Sequence, residues 1–155
     1  MEYYCRIETP FGKMILLEKD GALAMLSFDD GEYYGMQKET LLLYSAAKQL
    51  SEYFLGRRTE FDMPLNPTGT EFQRDVWDVL LRIPFGKTKS YAEVAAATGR
   101  DKAARAVGNA VGINPIPIII PCHRVLAANN KLGGFSLGLD MKRKLLSIEG
   151  ILVDN

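Results

Sequence analysis

Residues 115–125 read PIPIIIPCHRV. Proline fixes φ and lacks an amide hydrogen, so Pro115, Pro117 and Pro121 exclude a regular helix. Isoleucine is among the residues most often buried, and four of them lie between these prolines. The pattern predicts a buried, extended segment, stiff at both ends, from which Cys122 emerges beside His123, the single histidine of the chain.

Taken alone, that adjacency has two readings. A lone buried cysteine is usually inert packing, and a lone histidine is usually a structural residue. Chemistry needs a thiolate, and a free thiol has a pKa of about 8.5. A neighbouring imidazole can take its proton, directly or through a water, and itself needs a carboxylate to fix its tautomer. Glu149 is one candidate: it closes the apparent helix MKRKLLSIEG among Leu145, Leu146 and Ile148, where a half-buried carboxylate should have a partner. One histidine and two distant cysteines, Cys5 and Cys122, do not make a zinc site.

The rest of the chain divides near PLNPTGT, a proline- and glycine-bearing linker. Before it, YYCRIE, KMILLE and ALAMLSF read as a strand meander with turns at Thr9–Gly12 and Lys19–Gly21. In ETLLLYSAAKQLSEYFLG, Leu43, Ala47, Leu50 and Phe54 recur at helical spacing up to a capping Gly56. A short strand is expected around 60–63. After the linker, EFQRDVWDVLLRI is a helix whose apolar stripe is Phe72, Val76, Val79, Leu80 and Ile83, with Trp77 as packing. SYAEVAAATGRDKAARAVGNAVGI then reads as helix, glycine turn, helix. Ser90 and Glu93 form a capping box, and Asp101 is the expected N-cap of the second helix.

Charge is uneven although the total is zero. Residues 1–66 hold 7 Lys/Arg and 11 Asp/Glu (−4), and residues 67–155 hold 12 and 8 (+4). A basic half hints at a polyanion partner. The second helix of the pair is poor in base-reading side chains: Ala103, Ala104, Ala106, Gly108 and Ala110 are its exposed-side candidates, with Arg105 and Asn109. So slim a helix suits either the minor groove, about 6 Å wide, or close packing inside the protein. No window approaches the length of a membrane span, and MEYYCRIETP lacks the pattern of a signal peptide. With so few cysteines, an intracellular, cytoplasmic location is expected.

PCHRV, preceded by GINPIPIII, resembles the active-site signature of the O6-alkylguanine-DNA alkyltransferases, the methylated-DNA–protein-cysteine methyltransferases. The likeness continues through SYAEVAAATG, KAARAVGNAV, GFS and LLSIEG in the family's order, over most of residues 68–150. The amino-terminal third is more loosely similar to the family's variable domain. The resemblance implies an α+β fold: a small ribonuclease-H-like amino-terminal domain (1–66) and a helical winged-helix/helix-turn-helix domain (67–155). It implies DNA repair by irreversible, single-turnover transfer of an alkyl group from O6-alkylguanine, with O4-alkylthymine a second lesion, to Cys122. His123 would take the thiol proton and Glu149 would orient it. Tyr91 would donate to the departing guanine, and Asn114 would hinge the helix to the cysteine segment.

Phe135, Ser136, Val111 and Arg124 would face the base. Arg105 would fill the gap left by the flipped nucleotide, and Ala103, Ala104, Ala106, Gly108 and Tyr91 would line the DNA surface. The implied partner is double-stranded DNA containing alkylated bases, met by a monomer with no cofactor, metal or membrane and associated with the nucleoid when on DNA. Relatives often have Tyr-Ser-Gly-Gly where this chain has Phe135-Ser136-Leu137-Gly138; Leu137 is expected to narrow the pocket. A sequence-reading regulator, a cysteine hydrolase and a non-repairing alkylated-DNA-binding protein are the rival readings.

Overall fold

Two tight turns fold the amino-terminal strands onto one another. In this computed structural model, which describes residues 1–31 and 35–153, β1 (Glu2–Thr9) pairs antiparallel with β2 (Gly12–Lys19), Glu2 opposite Lys19 and Thr9 opposite Gly12. The Thr9 hydroxyl donates to the Gly12 carbonyl at 2.7 Å and accepts the Phe11 amide at 3.1 Å. β2 turns into β3 (Ala22–Phe28) through Asp20-Gly21, with φ of 51° and 82°, the left-handed pair of a two-residue hairpin. A two-residue edge strand, β4 (Met36–Gln37), lies parallel to β1 and gives the sheet order β3-β2-β1-β4.

Helix α1 (Leu41–Phe54) starts at Thr40, whose hydroxyl accepts the Leu43 amide at 3.1 Å. It buries Leu43, Ala46, Leu50 and Tyr53 against the sheet, and Gly56, at φ 73°, ends it as expected. The strand anticipated at 60–63 does not form. Asp62 instead satisfies its backbone on a side chain: its amide donates to Gln49 Oε1 at 2.8 Å and its carbonyl accepts Gln49 Nε2 at 3.0 Å. Only an isolated parallel bridge, Leu23 to Leu65, follows. This first unit spans residues 1–68 and the second begins at Gly69.

In the second unit, α2 (Glu71–Leu81) and α3 (Tyr91–Ala97) each open on a complete capping box, Thr70 with Gln73 and Ser90 with Glu93. A short parallel pair, β5 (Lys89–Ser90) with β6 (Val125–Leu126), runs beside them. Helix α4 (Ala104–Gly112) begins two residues later than the sequence suggests, with Ala103 rather than Asp101 at its N-cap and no side-chain cap. The Ala103 amide donates to the Arg100 carbonyl at 2.9 Å, so residues 100–103 close a turn of their own before the helix starts. Helix α5 (Leu139–Ile148) closes the unit. None of the described helices is long and apolar enough to cross a membrane.

The 115–121 segment is buried as predicted but looped rather than extended. Pro117 bridges to Ile120, and Ile118 turns left-handed at φ 75°, which in a β-branched residue stores of order 1–3 kcal/mol of strain. The Asn114 side chain holds the loop shut, donating to the Ile120 carbonyl at 2.8 Å and accepting the Ile116 amide at 3.0 Å.

Gln49 fastens the 57–63 segment through both ends of its amide. Gln49→Ala is expected to lower the unfolding free energy by about 0.5–1.5 kcal/mol, the net worth of a hydrogen bond at a part-buried site. Urea denaturation measures it, and an unchanged midpoint would show that water replaces Gln49 at Asp62.

Candidate active site

Cys122 opens a short 3-10 turn, Cys122–Arg124, immediately after Pro121. The prolines and the left-handed Ile118 fold the chain back so that all three side chains of the turn are buried. Cys122 is 2% exposed and His123 fully enclosed. The Cys122 amide donates to the Ile120 carbonyl at 2.7 Å, which also accepts Asn114.

Glu149 meets this turn from the other end of the sequence. It is the C-cap of α5, and the helix stops there in a Schellman arrangement: Gly150 at φ 76° donates to the Ser147 carbonyl at 3.0 Å, and Ile151 donates to Leu146 at 2.9 Å. Ile151 packs on Leu126, Leu132 and Leu146, which locks the stop. The carboxylate so positioned contacts His123 Nε2 at 2.6 Å and accepts Arg124 Nε at 2.8 Å, Arg124 Nη2 at 3.1 Å and the Gly86 amide at 2.9 Å. Burial alone would raise its pKa. The hydrogen bonds from His123 and Arg124, the charge of His123 and the Gly86 amide overcome that and hold the carboxyl at about 2.

A carboxylate can only accept, so the proton between the two groups belongs to His123 Nε2, and Nδ1 keeps the ring's basic lone pair. Burial lowers the His123 pKa, against the pull of Glu149, so the ring is neutral at pH 7 and able to accept a proton. The Cys122 thiol is pushed up to about 11, chiefly by burial; a hydrogen bond from Asn114 and the charge of Lys142 oppose it. The resting site therefore holds a thiol next to a neutral base.

Arg124, which the resemblance places toward the base, is occupied here by groups of the protein. Besides Glu149, its Nη1 donates to the Ile83 carbonyl at 2.7 Å, and its guanidinium lies 6.0 Å from the Phe85 ring centroid. The guanidinium is needed to balance the buried carboxylate, and this commits it. Val111 likewise points inward, 6% exposed on α4.

Tyr91, the first residue of α3, is half-buried, and burial raises its pKa while a backbone hydrogen bond with Gly134 lowers it. A Cβ at Gly133, where φ is 68°, would come within 3.2 Å of the Tyr91 ring and 3.3 Å of its hydroxyl, so only glycine suits that position. Gly108 of α4 lies on the other side of the ring. Phe135, half-buried, and Ser136, exposed, continue from Gly134 into a turn closed by the Gly138 amide on the Phe135 carbonyl at 3.0 Å.

On α4, Ala104, Arg105, Ala106 and Asn109 are exposed and Ala103 and Gly108 half-buried, while Ala110, expected on the open side, is buried. Cys5 sits buried in β1, its thiol pushed up to about 11 by burial and by the charge of Glu39.

Two contributors were not singled out from the sequence. Gly86 supplies an amide to Glu149. Lys142, fully enclosed, donates to the carbonyls of Val125 (2.8 Å), Leu132 and Gly134 (2.9 Å), so it fastens the loop that borders Tyr91 to β6. Burial lowers its pKa to about 8. The spacing holds a signal for it: Lys142 stands three and four residues before Leu145 and Leu146, on the buried side of the helix.

Residues 71–151 match the family model described as the 6-O-methylguanine DNA methyltransferase DNA-binding domain, and residues 2–67 match that of the ribonuclease-like domain of the same family. Curated relatives named methylated-DNA–protein-cysteine methyltransferase include one from Methanosarcina acetivorans, 42% identical over 96% of this chain and 98% of its own. Another, the constitutive protein of Bacillus subtilis, is 42% identical over 97% of both. Among solved structures, the Mycobacterium tuberculosis OGT in complex with DNA superposes with a TM-score of 0.87 at 43% identity, covering 95% of this chain and 92% of the other.

Glu149→Gln is expected to cost about 3–5 kcal/mol in urea unfolding, because it leaves the Arg124 charge buried and uncompensated. The native carboxyl titrates below its ordinary 4.5, so its stabilisation is complete above pH 4.5 and lost as pH falls toward 2. His123 acts in the same sense from higher pH: it resists protonation in the fold, so acid favours the unfolded chain from its ordinary 6.5 downward. The wild-type midpoint should therefore fall steadily from pH 7 to 3. The variant's should lose the part below 4.5, and parallel curves would show that Glu149 does not carry that part.

Proposed function

The chain belongs to the 6-O-methylguanine DNA methyltransferase family, and from that premise we propose that Cys122 is the residue alkylated and that O6-alkylguanine in duplex DNA is the substrate. The activity is DNA repair by transfer of an alkyl group from DNA to a cysteine of the protein. The observation that carries the assignment to Cys122 is the buried pair directly beside it, His123 on Glu149 at 2.6 Å.

In this reading Cys122 Sγ attacks the alkyl carbon in line with the bond to guanine O6. The sulfur–carbon bond forms as the carbon–oxygen bond breaks, and the bonding pair leaves with the base. The thiol proton passes to His123 Nδ1, directly or through one water, and the imidazolium that results is stabilised by Glu149. Since the resting thiol is held near 11, deprotonation has to accompany the transfer. The departing guanine gathers negative charge, and Tyr91 donates a proton to its ring; such a positioned donor contributes typically about 10²–10⁴-fold.

The product is a thioether, which water does not readily hydrolyse, so each molecule acts once. A base inside a duplex cannot reach a sulfur 2% exposed, and extruding it costs a few kcal/mol. Exposed Arg105, on a helix otherwise bare of long side chains, is suited to occupy the vacated stack. The protein works as a monomer in this reading.

Mass spectrometry after incubation with a duplex carrying O6-methylguanine should find one methyl group per protein, confined to the Cys122 peptide. Methylation elsewhere, or none with the duplex still bound, would remove the assignment. Tyr91→Phe should slow transfer by at least about 10²-fold while the duplex still binds; an undiminished rate would exclude the phenol as donor. Leu137 stands where relatives have glycine, so free O6-benzylguanine should react more slowly than methylated DNA, and Leu137→Gly should narrow that gap. An equal benzyl rate in the unchanged protein would sink the idea.

A further inference from the structure

We propose that Trp77 is a positioning residue for the reaction on duplex DNA: its indole N–H caps the carboxy-terminal end of α4 and fixes the helix that carries Arg105. The inference rests on the reading of α4 as the DNA-engaging helix and adds a residue to which nothing in that reading gives a role.

A helix leaves its last four carbonyls without partners from its own backbone. In α4 these belong to Asn109, Ala110, Val111 and Gly112. Asn109 and Val111 take backbone amides from the exit, the Ile113 amide at 3.2 Å and the Asn114 amide at 3.4 Å. Ala110 is different. Its carbonyl accepts Trp77 Nε1 at 2.9 Å, from a helix 33 residues earlier. Both residues are nearly inaccessible, Trp77 at 1% and Ala110 at 2%, so water is poorly placed to substitute, and a lost donor leaves a dry carbonyl.

The far edge of the same ring is held too. A Cβ on Gly69 would lie 2.5 Å from Trp77 Cη2 and 2.7 Å from Cζ3. The backbone entering α2 therefore rests on the ring, and Thr70 and Gln73 lock that entry with their capping box. The indole is thus fixed at the benzo edge by α2's own start and at the nitrogen by the end of α4. Four residues beyond Ala110, Asn114 binds the Ile120 carbonyl, which also accepts the Cys122 amide. The cysteine loop therefore has an anchor of its own. Loosening the Trp77 contact should misplace the outward face of α4 while leaving the thiol, His123 and Glu149 where they are.

That separation gives the test. Trp77 is the single tryptophan of the chain, so residue-specific replacement by benzothienylalanine substitutes sulfur for the N–H and keeps ring and volume. Trp77→Phe is the genetic counterpart. Each protein is reacted with duplex O6-methylguanine and, separately, with the free base O6-methylguanine, and urea midpoints establish that it is folded. The expected result is a duplex rate lowered about fivefold to tenfold, the effect of one lost hydrogen bond, with the free-base rate within about twofold of wild type. Equal losses on both substrates, or no loss on the duplex, overturn the proposal. Should the wild-type protein itself transfer no methyl group from the duplex, the reading of the site fails instead, so the two failures are distinguishable.

Discussion

Four hydrogen bonds converge on the Glu149 carboxylate, and much of the second unit is arranged to deliver them. Gly86 comes from the turn after α2, His123 and Arg124 from the 3-10 turn, and Glu149 itself from the end of α5. None of these segments is near another in sequence. A carboxylate with no exposed side-chain surface is tolerable only when its charge and lone pairs are all answered, so the burial of one group fixes the mutual placement of three. Arg124 supplies the compensating charge. The Schellman stop at Gly150 then has a functional meaning, because a helix one turn longer or shorter would point the carboxylate elsewhere.

The same arrangement sets the chemical state of the thiol. Burial keeps Cys122 protonated at rest, and Asn114 and Lys142 only moderate it. A standing thiolate would be open to every oxidant and electrophile the protein meets. A thiol beside a neutral, oriented imidazole instead becomes nucleophilic when an alkyl carbon is presented to it. If each molecule acts once, as proposed, restraint before the substrate arrives is worth as much as speed afterwards. Tyr91 is confined between Gly108 and Gly133, and in the proposed reading it extends the same logic to the leaving group.

What the sequence disclosed follows from what is local. The hairpin at Asp20-Gly21, the capping box at Ser90 and the stop at Gly150 are each specified within a few residues, and all are legible. Cys122 beside His123 is legible as a question, and Glu149 as one answer, because an acid among leucines near a helix end needs a partner. The family signature turned that question into a specific chemistry. Features set by tertiary contacts were not legible. Gln49 replaces a strand at Asp62, the Arg100–Ala103 turn displaces Asp101 from the N-cap, and the strained Ile118 converts an apparently extended run into a loop. Nothing within a few residues of these positions announces the competing partner. The buried roles of Arg124 and Lys142 were not legible for a related reason, since charged residues are almost never fully buried unless paired, and their partners lie away from them in the chain.

The small residues of α4 had suggested two incompatible explanations: a helix trimmed to enter a groove, or a helix trimmed to pack within the protein. The structure shows the second on the inner face and leaves the outer face bare. Val107, Ala110 and Val111 lie against the core, where the smallness of Ala110 lets the Trp77 indole reach its carbonyl. Ala104 and Ala106 lie outside with Arg105, where smallness leaves the backbone free to approach another surface. A helix held closely from behind and bare in front has little freedom to adjust to what it meets. For reading a base sequence that would be a handicap; in the proposed reading, where one arginine enters a duplex at a fixed distance from a buried cysteine, it is an advantage.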